Sequence, residues 1–128
     1  MRLSRLRGRK ICERLQRRGE IWKGRHLLVR WQTGAPRHPS VTDPSRPAAY
    51  VGTLASARLD KSAVRRNRMR RRCREALRTV LLSIDHIPVP VQLLLIPRSS
   101  SLGASFADLQ QDVRAFLARI HGTPAQTK

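Results

Sequence analysis

With 128 residues, 40% of them apolar, the chain is expected to form one domain with a thin core, whose stability leans on a bound polyanion. Its 27 Lys and Arg against 8 Asp and Glu leave a net charge of +19, which points to nucleic acid, with an acidic membrane surface a poor second. No apolar run approaches the ~18 residues of a membrane span, and the charged start MRLSRLRGRK has no apolar stretch behind it, which argues against a secretory signal.

Residues 1–8 read as a flexible basic arm. Residues 9–18 are expected to form a short helix, with Ile11 and Leu15 four apart and Gly19 as its C-terminal stop. The first strand lies within residues 22–32, where Leu27, Val29 and Trp31 alternate with His26, Leu28 and Arg30. Residues 32–47 hold four of the eight prolines and form a long loop, expected to be mobile, whose arginines and histidine are expected to brush the nucleic acid without being decisive. Residues 49–55 (AYVGTLA) make a second strand, expected to pair antiparallel with the first across that loop. Gly52 inside it suggests a bulge or a close backbone approach.

Residues 61–83 (KSAVRRNRMRRRCREALRTVLLS) organise the rest. Seven of the ten residues from Arg65 to Arg74 are arginines, a density that alone would read as a disordered tail. Yet Met69, Cys73, Ala76, Leu77, Val80 and Ile84 fall at helical intervals on one face. On the same wheel Arg66, Asn67, Arg70, Arg71, Arg74 and Arg78 form an arc beside that face, with Arg65, Arg68 and Arg72 on the opposite flank. Glu75 is the only acid between Lys61 and Asp85, whereas a merely solvated face would mix both signs. The expectation is a helix packed on one side that offers guanidinium groups to a polyanion on the rest. Guanidinium suits phosphate because it donates two parallel hydrogen bonds and keeps its charge at any working pH.

Asp60 is the expected N-cap of this helix, and Pro88 and Pro90 end it near residues 83–85. Residues 91–96 (VQLLLI) are almost wholly apolar, as in a strand covered on both faces. After a turn at residues 99–104, Ser105 and Asp108 make a capping-box-like start, and Phe106, Leu109, Val113, Phe116, Leu117 and Ile120 repeat at three and four. Gly122 is expected to end that helix, leaving residues 123–128 as a frayed tail. The fold class is α+β with one small sheet, a single nucleic-acid-binding domain over residues 9–122.

The run AVRRNRMRRRCREALR, residues 63–78, resembles the signature of the bacterial ribonuclease P protein subunit. It carries the Arg-Asn-Arg core (Arg66, Asn67, Arg68), a basic pair (Arg70, Arg71), Arg74, an acid or amide (Glu75), and a large apolar residue two positions later (Leu77). The resemblance extends over roughly residues 5–120, and VQLLLIPR matches a typical family strand. Two stretches depart from it. Residues 56–62 (SARLDKS) lack one lysine and the glycine of the family's Ser-Lys-Lys and Gly, and Ile11 and Leu15 stand where the first helix usually presents two aromatics.

The resemblance implies a four-stranded sheet packed with helices, in the order helix-strand-strand-strand-helix-strand-helix. It also implies a left-handed crossover at the second helix, against the right-handed rule that holds in about 98% of cases. By the same resemblance the chain is the RNA-binding subunit of ribonuclease P, an endoribonuclease that removes the 5′ leader from precursor tRNA in the cytoplasm. Catalysis belongs to the RNA subunit, whose phosphates hold Mg²⁺, and the protein itself binds no cofactor. Its implied RNA contacts are Arg66, Asn67, Arg68, Arg70, Arg71 and Arg74, with Arg58 and Lys61. Its implied leader cleft, between the first helix and the sheet, has Ile11, Leu15 and either Trp31 or Arg30.

The residues themselves show no catalytic constellation. Eight acids are spread thinly, with no paired carboxylates for two metal ions. No nucleophile elbow or Gly-rich phosphate loop is present. Cys12 and Cys73 lack a second Cys or His at metal-ligand spacing and read as reduced, core-facing thiols; the four histidines form no cluster. No obligate protein partner is evident. Two other classes share the charge: a structural RNA binder of ribosomal type without a leader cleft, and a DNA-binding module with the arginine helix in a major groove. Against the latter, no turn-helix pattern precedes that helix.

Overall fold

In the computed structural model, which describes residues 3–83 and 90–126, the most apolar stretch takes the centre of the sheet. β5 (Val91–Pro97) alternates between two apolar layers, with Val91, Leu93 and Leu95 in one cluster and Leu94 and Ile96 against the other. A strand without a hydrophilic face has to be covered on both sides. β3 (Leu27–Thr33) flanks it antiparallel, from Leu27 opposite Pro97 to Thr33 opposite Val91. β4 (Ala49–Thr53) flanks it parallel, from Ala49 opposite Val91 to Thr53 opposite Leu95. β1 (Leu3–Arg5) and β2 (Glu20–Lys23) close the edges, giving the order β1-β4-β5-β3-β2.

One face of the sheet carries α1 (Arg9–Arg18), which buries Leu15 against Leu6, Ala48, Tyr50 and Leu94. The other carries α2 (Ala63–Leu82) and α3 (Phe106–Gln126), packed on Leu27, Val29, Val51, Leu93 and Leu95. α2 buries Met69, Cys73, Ala76, Leu77, Val80 and Leu81, so the apolar arc seen on the helical wheel is the packed one. α3 opens with the expected reciprocal cap: the Asp108 N–H donates to Ser105 Oγ at 3.1 Å, and the Ser105 N–H to Asp108 Oδ2 at 3.4 Å. Phe116, at the middle of that layer, takes the ring edges of Trp22 at 5.6 Å and Trp31 at 6.1 Å. Such pairs add about 0.5–1.5 kcal/mol beyond their buried area.

From α1 onward the element order is the expected one, and α2 connects two adjacent parallel strands. Several particulars differ. The basic arm is not free, because β1 adds a fifth strand parallel to β4, with Leu6 5% exposed and its N–H bonded to Val51 O at 2.9 Å. Leu6 is buried and Leu3 half-buried at the sheet edge, but two leucines three apart show no periodicity in sequence. Residues 22–32 split into a hairpin, β2 with β3, because Asp112 of α3 captures its turn. That buried carboxylate accepts the N–H groups of Arg25 (3.3 Å), His26 (2.6 Å) and Leu27 (3.0 Å). Gly24 is needed there, since a Cβ would lie 2.5 Å from the Trp22 ring and 2.8 Å from Asp112 Oδ2.

β4 does not pair with β3, because the doubly covered β5 has to lie between them. Gly52 forms no bulge: its register with β5 is regular, and a Cβ would make ordinary contact at 3.4 Å with Leu94. The long loop is tied down, with Pro36 buried, Ala35 and Val41 packed on the α1-side core, and the Gly34 N–H donating to Pro90 O at 2.7 Å. α3 runs past Gly122 to Gln126 instead of stopping at the glycine; a helix-interior glycine costs only about 1 kcal/mol and does not terminate a helix unaided. Ile84, Asp85, His86 and Pro88 lie outside the described residues.

Candidate nucleic-acid interface

α2 begins one residue after Ser62, whose Oγ accepts the Arg65 N–H at 3.3 Å, so Ser62 and not Asp60 is the N-cap. Asp60 acts one step earlier: its Oδ1 accepts the Ser62 N–H at 2.9 Å, and its carboxylate stands 3.7 Å from Arg65. Helix geometry decides this, because only a residue directly before the first turn reaches the orphan N–H groups.

The arginines of α2 then divide by what they touch. Arg66 Nη1 donates to the carbonyls of Asp60 and Lys61, each at 2.9 Å, and Arg70 Nη2 donates to Ala55 O at 3.0 Å. Both therefore fasten residues 55–61 to the helix. Arg70 also donates to Asn67 Oδ1. On the other flank Arg72 donates to Ala104 O at 2.9 Å and holds the turn after β5. Arg78 pairs with Glu75, whose carboxyl this hydrogen bonding lowers below its ordinary pKa. Arg71 and Arg74 make no such bond among the described residues.

Two concavities result. One, of about 300 Å³, is lined by Thr53, Asn67, Arg70, Arg71 and Arg74. The other, of about 330 Å³, is lined by Asp60, Arg65, Arg68, Met69, Arg72 and Leu102. So the predicted set is split: Asn67, Arg70, Arg71 and Arg74 come together, while Arg68 faces the opposite flank. Arg58 is exposed on a third cavity, of about 330 Å³, which runs between Leu54, Leu59 and Ile96 towards Gln16 of α1. Lys61 is exposed, and its carbonyl takes Arg66.

The predicted leader cleft is rearranged. Ile11 and Leu15 line a cavity of about 460 Å³ against Gln32, Gln92 and the loop, with Lys10, Arg14 and Arg37 around it. Arg30 does not line it; its guanidinium is fastened to Gly19 O at 3.2 Å, at the end of α1. Trp31 lies on the opposite face of the sheet, against Phe116, and cannot share a cleft with Ile11 and Leu15. The alternation of β3 divides Trp31 from Arg30 in this way. Sequence reasoning missed Lys10 and Arg14, and gave the loop arginines, Arg37 among them, only a minor part. Both carried a signal, since Lys10 and Arg14 stand four apart, as Ile11 and Leu15 do, and occupy the adjacent stripe of the same helix.

Burial pushes the Cys73 thiol up to about 12, with Arg72 opposing slightly, and raises that of Cys12 as well. Both cysteines are free. Among the described residues no three His, Cys, Asp or Glu side chains gather in a way that could hold a metal ion, and no helix is long and apolar enough to cross a membrane.

The arginine-lined helix lying along the sheet of this three-layered α+β domain is a basic stripe of the kind that suits a nucleic-acid phosphate backbone. The chain belongs to the Ribonuclease P family, whose pattern it matches over residues 1–121. It is 35% identical over 112 residues to the ribonuclease P protein component of Thermus aquaticus, a match covering 88% of this chain and 57% of that protein. The chain thus spans little more than half the length of that relative. Against the ribonuclease P protein component of Rickettsia prowazekii the identity is 23% over 117 residues, covering 91% of this chain and 94% of the other. In fold it is similar to the ribonuclease P protein from Thermotoga maritima, with a TM-score of 0.67 at 20% identity, covering 91% and 96% of the two chains.

Proposed function

We propose that this chain is the RNA-binding subunit of ribonuclease P, which assists a catalytic RNA in removing the 5′ leader of precursor tRNA in the cytoplasm. The observation that carries this reading is the concavity of Asn67, Arg70, Arg71 and Arg74, backed by a helix face buried in the core. The buried helix face fixes the backbone from which these guanidinium groups project, and Arg70 is held further by Ala55 and Asn67, so less ordering remains to be done when phosphates bind. In this reading α2 binds the RNA subunit. The cavity beneath Ile11 and Leu15, ringed by Lys10, Arg14 and Arg37, receives the single-stranded leader. Its apolar floor and cationic rim suit bases and phosphates together, although no aromatic platform is present.

Chemistry is assigned to the RNA, whose phosphates would hold Mg²⁺; the protein supplies positive charge where two folded polyanions have to approach. The test uses the purified polypeptide freed of RNA. It should cleave no precursor tRNA with or without Mg²⁺, and should confer activity on a bacterial ribonuclease P RNA at moderate salt, where that RNA alone is poor. RNA-independent cleavage that survives removal of contaminating nucleases would overturn the assignment. Co-purification in cells with ribosomal RNA alone would point instead to a structural RNA binder.

A further inference from the structure

We propose that the concavity between β1 and the proline-rich loop is a second phosphate-binding site, which holds the backbone of the bound RNA through Arg7 and Arg46. The cavity is about 310 Å³ and shares no residue with those of α2 or with the one beneath Ile11 and Leu15. Arg5, Arg7 and Arg46 all line it, and all three are exposed. Among the described residues neither Arg5 nor Arg7 has a hydrogen bond or ion pair for its guanidinium group. Three cations around one hollow, with a single carboxylate among them, leave a net positive charge that favours an incoming anion.

The rest of the lining favours an oxygen-rich anion. Ser40 and Thr42 contribute hydroxyls. Tyr50 is only 8% exposed, its ring set in the α1-side core with Leu15 and Leu94. Its hydroxyl has no hydrogen-bond partner among the described residues, yet none of their buried side-chain polar atoms is left unpartnered. The exposed fraction of Tyr50 therefore includes that hydroxyl, which is offered as a donor to the cavity that the residue lines. The one acid present, Asp43, accepts the Ser45 N–H at 3.2 Å and the Ser45 hydroxyl at 2.7 Å through Oδ1; these bonds and the nearby Arg46 hold its carboxyl below the ordinary range, so one negative charge stands against the three arginines.

Both walls are held in place. β1 is hydrogen-bonded in register, with Ser4 opposite Tyr50, and on the loop side Val41 packs on the α1-side core while the Arg46 N–H donates to Asp43 O at 3.2 Å. The apolar residues of the lining, Val41, Ala48 and the Tyr50 ring, are packed into the α1-side core and offer no stacking platform, so the ligand is the phosphodiester itself. This inference rests on the chain being an RNA binder, and two sources of phosphate are separated by experiment: the RNA subunit and the precursor's leader.

The test compares an Arg7→Ala/Arg46→Ala protein with a control that removes two exposed arginines elsewhere, Arg25→Ala/Arg114→Ala. One arm measures affinity for ribonuclease P RNA across a salt series. The other measures affinity of the assembled holoenzyme for precursor tRNAs with short and long leaders. The site variant should flatten the log-log salt slope by up to about 1.8 units if its contacts are to duplex RNA, or about 1.4 if to the unpaired leader, with the control nearly unchanged. Arg7→Gln/Arg46→Gln serves if the alanines disturb the circular dichroism spectrum. If the site variant matches the control in both arms, the inference fails. An Arg71→Ala/Arg74→Ala protein run alongside separates the two readings: flattening there but not here leaves RNA binding by α2 intact and removes only the second site.

Discussion

Replacing Arg66, Arg70, Arg71 and Arg74 by alanine, in pairs and then together, tests how α2 works. Arg71 and Arg74 line the concavity without bonding to the protein, so their loss should remove cations and nothing else. Two phosphate contacts correspond to roughly 1.8 units of log-log salt slope, and stability should stay within about 0.5 kcal/mol, as for other surface substitutions. Arg66 and Arg70 donate three hydrogen bonds to the carbonyls of Ala55, Asp60 and Lys61. At about 1 kcal/mol each for partly exposed bonds, that pair should lose a similar slope and ~2–3 kcal/mol of folding stability as well. With all four removed the slope should fall by about 3.6 units, so a fourfold rise in salt weakens the variant about two orders of magnitude less than the parent. The assay is titration of labelled ribonuclease P RNA at several salt concentrations, with urea unfolding of each protein alongside. If the quadruple variant keeps the parent's affinity and slope, α2 is a solvated face and the functional reading is wrong. If Arg71 and Arg74 destabilise as much as Arg66 and Arg70, the division between binding and fastening is wrong.

Asp112→Ala should cost ~2–4 kcal/mol in urea unfolding, because three backbone N–H groups lose one acceptor; a loss under about 0.5 kcal/mol would show that water replaces the carboxylate. Trp31→Ala should destabilise by ~2–4 kcal/mol through its contact with Phe116, yet keep the full gain in holoenzyme affinity from a longer precursor leader. A folded variant that loses that gain would return Trp31 to the cleft. Cys73, held protonated up to about 12, should resist alkylation at pH 8 in the folded protein. The unfolded thiol ionises near 8.5 while the folded one keeps its proton, so stability should fall as pH rises from about 9 towards 12. Cys73→Ala should flatten that alkaline decline in urea midpoints, and an unchanged decline would assign it to other groups.

The parts of the fold that could be read were those whose signal is local and periodic. The packed arc of α2 and the cap of α3 needed only spacing, and both are present. VQLLLI implied a strand covered twice, and it is the central one. What could not be read depended on distant residues. The hairpin turn after Lys23 has one glycine and no strong turn dipeptide, and its stabilising carboxylate comes from Asp112, more than 80 positions later. β1 exists because Leu3 and Leu6 find a sheet edge, which a basic decapeptide does not announce. Even the antiparallel pairing expected of the second strand was a local inference, and the long-range demand of β5 for two neighbours overrode it.

The site divides along the same line. Composition and the helical wheel singled out the arginines, but all of them looked alike, as phosphate ligands. Three are internal braces as well: Arg66 and Arg70 hold the segment before the helix, and Arg72 holds the turn after β5. Their partners are backbone carbonyls, which have no signature in sequence, so this second role was invisible. The two roles are compatible because a guanidinium has five N–H donors. A carbonyl engages one or two and leaves the others directed outwards, with the side chain already ordered. An arginine held in this way loses less rotamer entropy when a phosphate arrives than a free one does. The same braces join α2 to the segment between β4 and the helix, so phosphate binding on the arginine concavity should also stiffen residues 55–61, where Arg58 faces α1. The chain thereby couples its arginine helix to the wall of the cavity beside Gln16 of α1 through hydrogen bonds whose acceptors are all uncharged carbonyls.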